Sequence, residues 1–163
     1  MMLALVLVLA AGSPDGFQNL TWGMTFKEAK AVAKVSSALR ADGPHRAFGF
    51  FTVAGDDMAH AELLFTKEGK LGVVRVHLTG EPLHSVVGLL TEKYGEPKIL
   101  SKHTPLENAY EWVGPTTVIR CYRLVGTAIE YSSTDLGDAA LEIEAASLQR
   151  KIDDERSRKL KGL

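Results

Sequence analysis

Hydrophobic and polar positions divide the chain into a short apolar leader, two helix-then-strands segments and a final amphipathic stretch. Met1 to Gly12 is an unbroken apolar run ending in small residues, and Ser13-Pro14-Asp15-Gly16 stops it with turn formers. This is the apolar core and cleavage pattern of a secretory signal peptide, with cleavage expected after Gly12 and Ala10 at the minus-three position. A membrane span needs about 20 apolar residues, so the run is too short to be one. No Lys or Arg precedes it, and its Leu/Val alternation also suits a buried strand.

Thr25, followed three residues later by Glu28, forms a capping box that predicts a helix over about 26–38. Its apolar stripe is Phe26, Ala29, Val32 and Ala33. After the break at Asp42-Gly43-Pro44, three strand-like runs are predicted at 47–53, 58–66 and 71–78, an antiparallel meander. A four-residue loop at 67–70 sets Thr66 opposite Leu71, Leu63 opposite Val74 and Ala61 opposite Val76. The other face then pairs Leu64 with Val73, Glu62 with Arg75 and His60 with His77.

Gly80-Glu81-Pro82 opens a second helix, which Gly95 and Pro97 close after Tyr94. Val86, Leu89, Leu90 and Tyr94 are its expected buried stripe. Strands follow at 98–103, 109–113, 117–123 and 127–133. A three-residue hairpin over Leu124-Val125-Gly126 pairs Cys121 with Ile129, Ile119 with Tyr131 and Arg120 with Glu130. A third helix is predicted over 138–160, with Leu141, Ala145, Leu148 and Ile152 on one stripe; its first half is expected to dock and its end to be exposed.

The predicted fold is therefore α+β: two tandem helix-plus-antiparallel-sheet repeats in two layers, about 17–79 and 80–135, within a domain spanning 13–137. A C-terminal helix over 138–163 completes the chain. The 163 residues carry a formal net charge of -1, which supplies no bulk attraction to nucleic acid or anionic lipid. The single cysteine, Cys121, excludes an intramolecular disulfide and leaves no four-ligand cysteine framework for a metal.

Gly23-Met24-Thr25-Phe26-Lys27-Glu28-Ala29 resembles the glycine-Met-Thr helix start of the BamE/SmpA outer-membrane lipoproteins. Tyr94-Gly95-Glu96-Pro97 resembles their helix exit. The layout is also similar to the tandem modules of β-lactamase inhibitor protein, and the Trp22-Gly23-Met24-Thr25 opening resembles uncharacterised exported bacterial proteins that begin in this way. The resemblance implies small two-layer modules that act by binding other proteins. The lipid-carrying cysteine of the lipoproteins has no counterpart at Gly12-Ser13-Pro14.

Three groups of residues invite a chemical reading. His60, Glu62 and His77 share a strand face and offer imidazole and carboxylate ligands for a divalent metal; the competing reading is a solvated cross-strand row in which Arg75 takes Glu62. Cys121 with His103 has the residue types of a nucleophile and base, against plain inward packing beside Ile119. Trp22 and Trp112 are candidate interface anchors, or else rings packed on their own module. The basic end, Arg156 to Lys161, reads as a solvated helix terminus.

No phosphate loop, nucleophile elbow, HExxH or paired-carboxylate motif occurs. No catalytic residue and no cofactor is assigned. The expected protein is an exported, non-enzymatic interaction or accessory module, periplasmic or extracellular, whose sheet faces bind another envelope or extracellular protein. The alternative is a small-molecule or metal-binding protein using the His60/Glu62/His77 face.

Overall fold

The computed structural model describes residues 15–33, 38–53, 56–100 and 109–162. The predicted leader, its cleavage point and His103 lie outside these residues. Two short strands, β1 (Gly16–Phe17) and β2 (Leu20–Thr21), lead into α1 (Phe26–Val32). β3 (Arg40–Ala41), β4 (Arg46–Val53), β5 (Asp56–Phe65) and β6 (Leu71–Leu78) follow, then α2 (Leu83–Tyr94). β7 (Lys98–Leu100), β8 (Ala109–Val113), β9 (Thr117–Arg123) and β10 (Thr127–Ser133) precede α3 (Gly137–Lys161).

The capping box at α1 is formed: the Glu28 carboxylate accepts from the Thr25 amide at 2.8 Å, and the Thr25 hydroxyl accepts from the Glu28 amide at 3.3 Å. This helix stops at Val32 rather than near 38, because Ala33 is already extended, at ψ 125°. The early exit returns the chain to the sheet, where Leu39 is buried in the core.

Both predicted hairpins form in the expected register. In the first, His60, Ala61, Glu62, Leu63 and Leu64 lie opposite His77, Val76, Arg75, Val74 and Val73. A register shift after Leu64 sets Phe65, instead of Thr66, opposite Leu71. In the second, Cys121 faces Ile129, Arg120 faces Glu130 and Ile119 faces Tyr131.

The order of helix then four strands occurs twice, but the strands do not make two sheets. They form one eight-stranded antiparallel sheet in the order β3-β4-β5-β6-β10-β9-β8-β7. The two meanders meet where β6 pairs with β10, with Val74 opposite Tyr131, Arg75 opposite Glu130 and Val76 opposite Ile129.

Strand alternation sends Ala61, Leu63, Val74, Val76, Cys121 and Ile129 to one face. They pack there with Ala29 of α1, Val86 and Leu90 of α2, and Phe17 and Leu20 of β1 and β2. On α2 the expected stripe is rotated slightly: Leu89 is 51% exposed, while Leu83 and Val87 join Val86 and Leu90 against the sheet.

The opposite face receives α3, so the architecture has three layers rather than two. Leu64 and Val73 cluster with Ala140, and Leu141 packs beside them. Two glycines allow the close approach. A Cβ on Gly72 would stand 2.6 Å from the Leu136 carbonyl oxygen, and one on Gly137 would stand 1.9 Å from Ser132 Oγ. The first turns of α3 are seated on the sheet as expected; beyond Leu148, every described residue of the helix is exposed.

Candidate functional site

A row of charged side chains crosses the outer sheet face beside α3. The strand registers align Glu62 on β5, Arg75 on β6, Glu130 on β10, Arg120 on β9, Glu111 on β8 and Lys98 on β7. Charge alternates in sign at each step across six strands. Hairpin patterning predicted two separate pairs, Glu62 with Arg75 and Arg120 with Glu130; the β6–β10 junction fuses them by placing Arg75 against Glu130.

Arg75 is the hub. Its Nε and Nη2 donate to Glu130 Oε2 at 3.1 and 3.0 Å, and its Nη1 donates to Glu62 Oε2 at 3.3 Å. Glu144 comes down from α3 and accepts from Nη1 and Nη2 at 2.9 and 3.0 Å. Arg120 Nε donates to Glu111 at 2.9 Å and its Nη1 lies 3.5 Å from Glu130. The Tyr122 hydroxyl donates to Glu130 at 3.2 Å. On the far side Arg46 donates to Glu62 Oε1, and His77 Nε2 lies 3.5 Å from Glu62 Oε2.

The middle of this row is not solvated, although its end at Lys98 is exposed. Glu62 is 9% and Glu130 5% exposed, so both rely on the hydrogen bonds and ion pairs of their neighbours to replace the water they have lost. The His77 imidazole and then the Arg46 and Arg75 guanidiniums hold the Glu62 carboxyl down at about 2, against the opposing effect of burial. Burial disfavours the charge on Arg75, and Glu144 and Glu130 more than offset it, raising its pKa. Glu62 is therefore an ionised hydrogen-bond acceptor across the neutral range. The network joins the two halves of the sheet and fastens α3 to β6 through Glu144 and Arg75.

The predicted metal ligands are neighbours, as register required, but Glu62 is engaged by Arg46, Arg75 and His77. His60 turns to rings instead, with centroids 5.8 Å from His77, 5.8 Å from Phe48 and 5.7 Å from Phe50. Burial in this aromatic setting lowers its pKa. Among the described residues no group of three or more His, Cys, Asp or Glu is placed to hold a metal ion.

Cys121 is fully buried, and burial pushes its thiol up to about 12. A nucleophilic cysteine requires the opposite shift. Trp112 is 6% exposed and its indole donates to the Gly95 carbonyl at 2.7 Å, which makes it a core residue rather than an exposed anchor. Trp22 is half-buried and donates to Thr117 Oγ1 at 2.8 Å, tying the start of α1 to β9.

Two features of α3 remain open to solvent. Its outer half carries Leu148, Ile152 and Leu160, each about half or more exposed. Between its middle and the turn from Asp42 to Arg46 lies a cleft of about 360 Å³, floored in part by Leu64. Sequence reading missed the roles of Arg46, Glu111, Glu144 and Tyr122. The first reaches Glu62 diagonally from the neighbouring register row, and Glu144 meets Arg75 only once α3 is placed. Glu111 was legible, since β8 and β9 are joined by a short turn that aligns it with Arg120.

No family model, no curated protein and no solved structure matches this chain. No described helix is long and apolar enough to cross a membrane.

Proposed function

We propose that this chain is an exported, non-enzymatic accessory module that binds another envelope or extracellular protein through the outer half of α3. The observation that carries the reading is the projection of this helix. From residue 149 to residue 162 every position is exposed, with Ile152 59% and Leu160 63% exposed. Isolated helices shorter than about 12–15 residues are marginal in water and owe most of their stability to tertiary packing. A helix that outruns its own sheet by several turns gains such packing from a partner. The shallow groove around Ile152 and Leu160 is flanked by Glu155, Arg156 and Lys159, a small apolar centre with a charged rim.

Other features support the same reading. The apolar leader, ending at Gly12, supports export to the periplasm or beyond. The twice-repeated order of helix and four strands supports reading 17–79 and 80–135 as tandem modules of the kind suggested by the BamE/SmpA and β-lactamase inhibitor protein resemblances. The buried ionic row supports a rigid platform beneath the helix.

The test is capture of tagged protein from its native envelope fraction, run in parallel with an Ile152→Glu/Leu160→Glu variant. Both positions are exposed, so the variant keeps its fold. A partner retained by the wild type and lost by the variant supports the reading; identical captured sets overturn it. N-terminal sequencing of the native protein tests export, with a mature start at Ser13 expected and an intact Met1 contradicting it.

A further inference from the structure

We propose that the cleft between the Asp42–Arg46 turn and α3 binds a small amphiphilic carboxylate, an acid group carrying a short aliphatic chain. This site does not depend on the protein-binding reading of the outer helix. The cleft has about 360 Å³ of space and is partly enclosed by a turn, a strand and a helix. That volume falls within the range of small-molecule sites, roughly 300–1,000 Å³.

Its lining separates into two chemistries. Pro44, Leu64, Ile143 and Leu148 are apolar, and a short alkyl chain gains by leaving water against them. The polar lining carries uncompensated positive charge. Glu144 is consumed by its paired bonds to Arg75. Asp42 lies 3.6 Å from Arg46, which also holds Glu62. Both acidic lining residues are thus already matched. Arg150 and Lys151, which also line the cleft, have no carboxylate partner among the described residues; Arg150 donates only to the Ala146 carbonyl, at 3.3 Å.

Two more nitrogens are poorly served. Arg46 Nε and His45 Nδ1 are buried without a hydrogen-bond partner. A native fold rarely leaves such atoms unmatched, because a buried polar group without a partner has lost its water and gained nothing in exchange. An anionic acceptor answers the surplus charge of Arg150 and Lys151, a small shift of the Arg46 side chain would bring its orphaned donor to the same group, and the apolar lining selects an acid with an aliphatic portion over a bare anion. Charge-assisted hydrogen bonds of this kind are the stronger class.

Isothermal titration of the full chain with octanoate tests the site, with acetate, inorganic phosphate and neutral octanol as comparison probes. Octanoate is expected to bind one-to-one and to shift the His45 imidazole resonances, while each comparison probe binds at least about tenfold more weakly. Arg150→Gln/Lys151→Gln, at two exposed positions, is expected to weaken octanoate by about tenfold or more with an unchanged unfolding midpoint. Leu148→Ser should weaken octanoate while leaving acetate unchanged.

The proposal is overturned if octanoate gives no saturable binding up to about 10 mM. It is also overturned if the double variant binds as the wild type does. Equal binding of acetate or phosphate would reduce the cleft to a surface ion pair, and equal binding of octanol would remove the acid from the specificity; either sinks it.

Discussion

Glu144, on the first turns of α3, grips Arg75 at the centre of the sheet through two parallel hydrogen bonds of 2.9 and 3.0 Å. The contact closes a network that already holds Arg75 against Glu130 and Glu62. It makes the docking of α3 an electrostatic as well as an apolar event.

Unequal costs follow for the two partners. Arg75→Leu leaves Glu62 and Glu130 buried without their shared cation, and a loss of about 3–5 kcal/mol is expected from urea unfolding. Glu144→Gln removes one partner of several, and about 1–2 kcal/mol is expected. Equal effects would show that the buried strand carboxylates do not rely on Arg75.

Acid should loosen the protein through Glu62. Its carboxyl is lowered from 4.5 to about 2 in the folded state. The unfolded chain therefore takes up the proton first, so the stabilisation is complete well above pH 4.5 and is lost as pH falls from about 4.5 towards 2. The loss amounts to up to about 3 kcal/mol. Glu62→Gln should be less stable at neutral pH and should show a flatter acid limb. Parallel unfolding curves at pH 7, 4 and 3 check this, and identical slopes in both proteins would contradict it.

The thiol of Cys121 should be silent in the folded protein. It lies on β9, between β10 and β8, buried on the inner face of the sheet, and burial pushes it up to about 12. A disulfide reagent at pH 8 should react only at the rate at which the protein opens, and rapidly in urea. Fast stoichiometric labelling of the native state would refute the assignment.

Gly72 sets how closely α3 approaches the sheet. Gly72→Ala puts a methyl 2.6 Å from the Leu136 carbonyl oxygen, a backbone atom that moves only if the helix start moves. Overpacking of this kind costs about 1–3 kcal/mol. Hydrogen exchange should rise first in 137–148, ahead of the central strands. Gly43→Ala meets no atom within 4 Å, but its φ of +85° makes it a backbone test rather than a packing test.

Local patterning was enough to locate strands and set hairpin registers. His60 opposite His77, Glu62 opposite Arg75 and Cys121 opposite Ile129 follow from side-chain alternation and from the lengths of the turns between them. The start of α1 was equally legible, because Thr25 and Glu28 satisfy each other's backbone amides over three residues. These are short-range constraints, and sequence spacing carries them.

Tertiary structure decided the rest. Arg75 and Glu130 are 55 residues apart, and no turn relates β6 to β10. Their pairing depends on which strand edges meet after both meanders have formed, and that choice turns two hairpins into one sheet. It also decided that the centre of the charged row, at Glu62 and Glu130, would be buried, because exposure there depends on where α3 comes to rest. The helix rests where Gly72 and Gly137 permit close contact and Glu144 finds Arg75. Alternation could place Glu62 on a face; only the arrival of a distant helix determined that the part of this face around Glu62 and Glu130 would be closed to water.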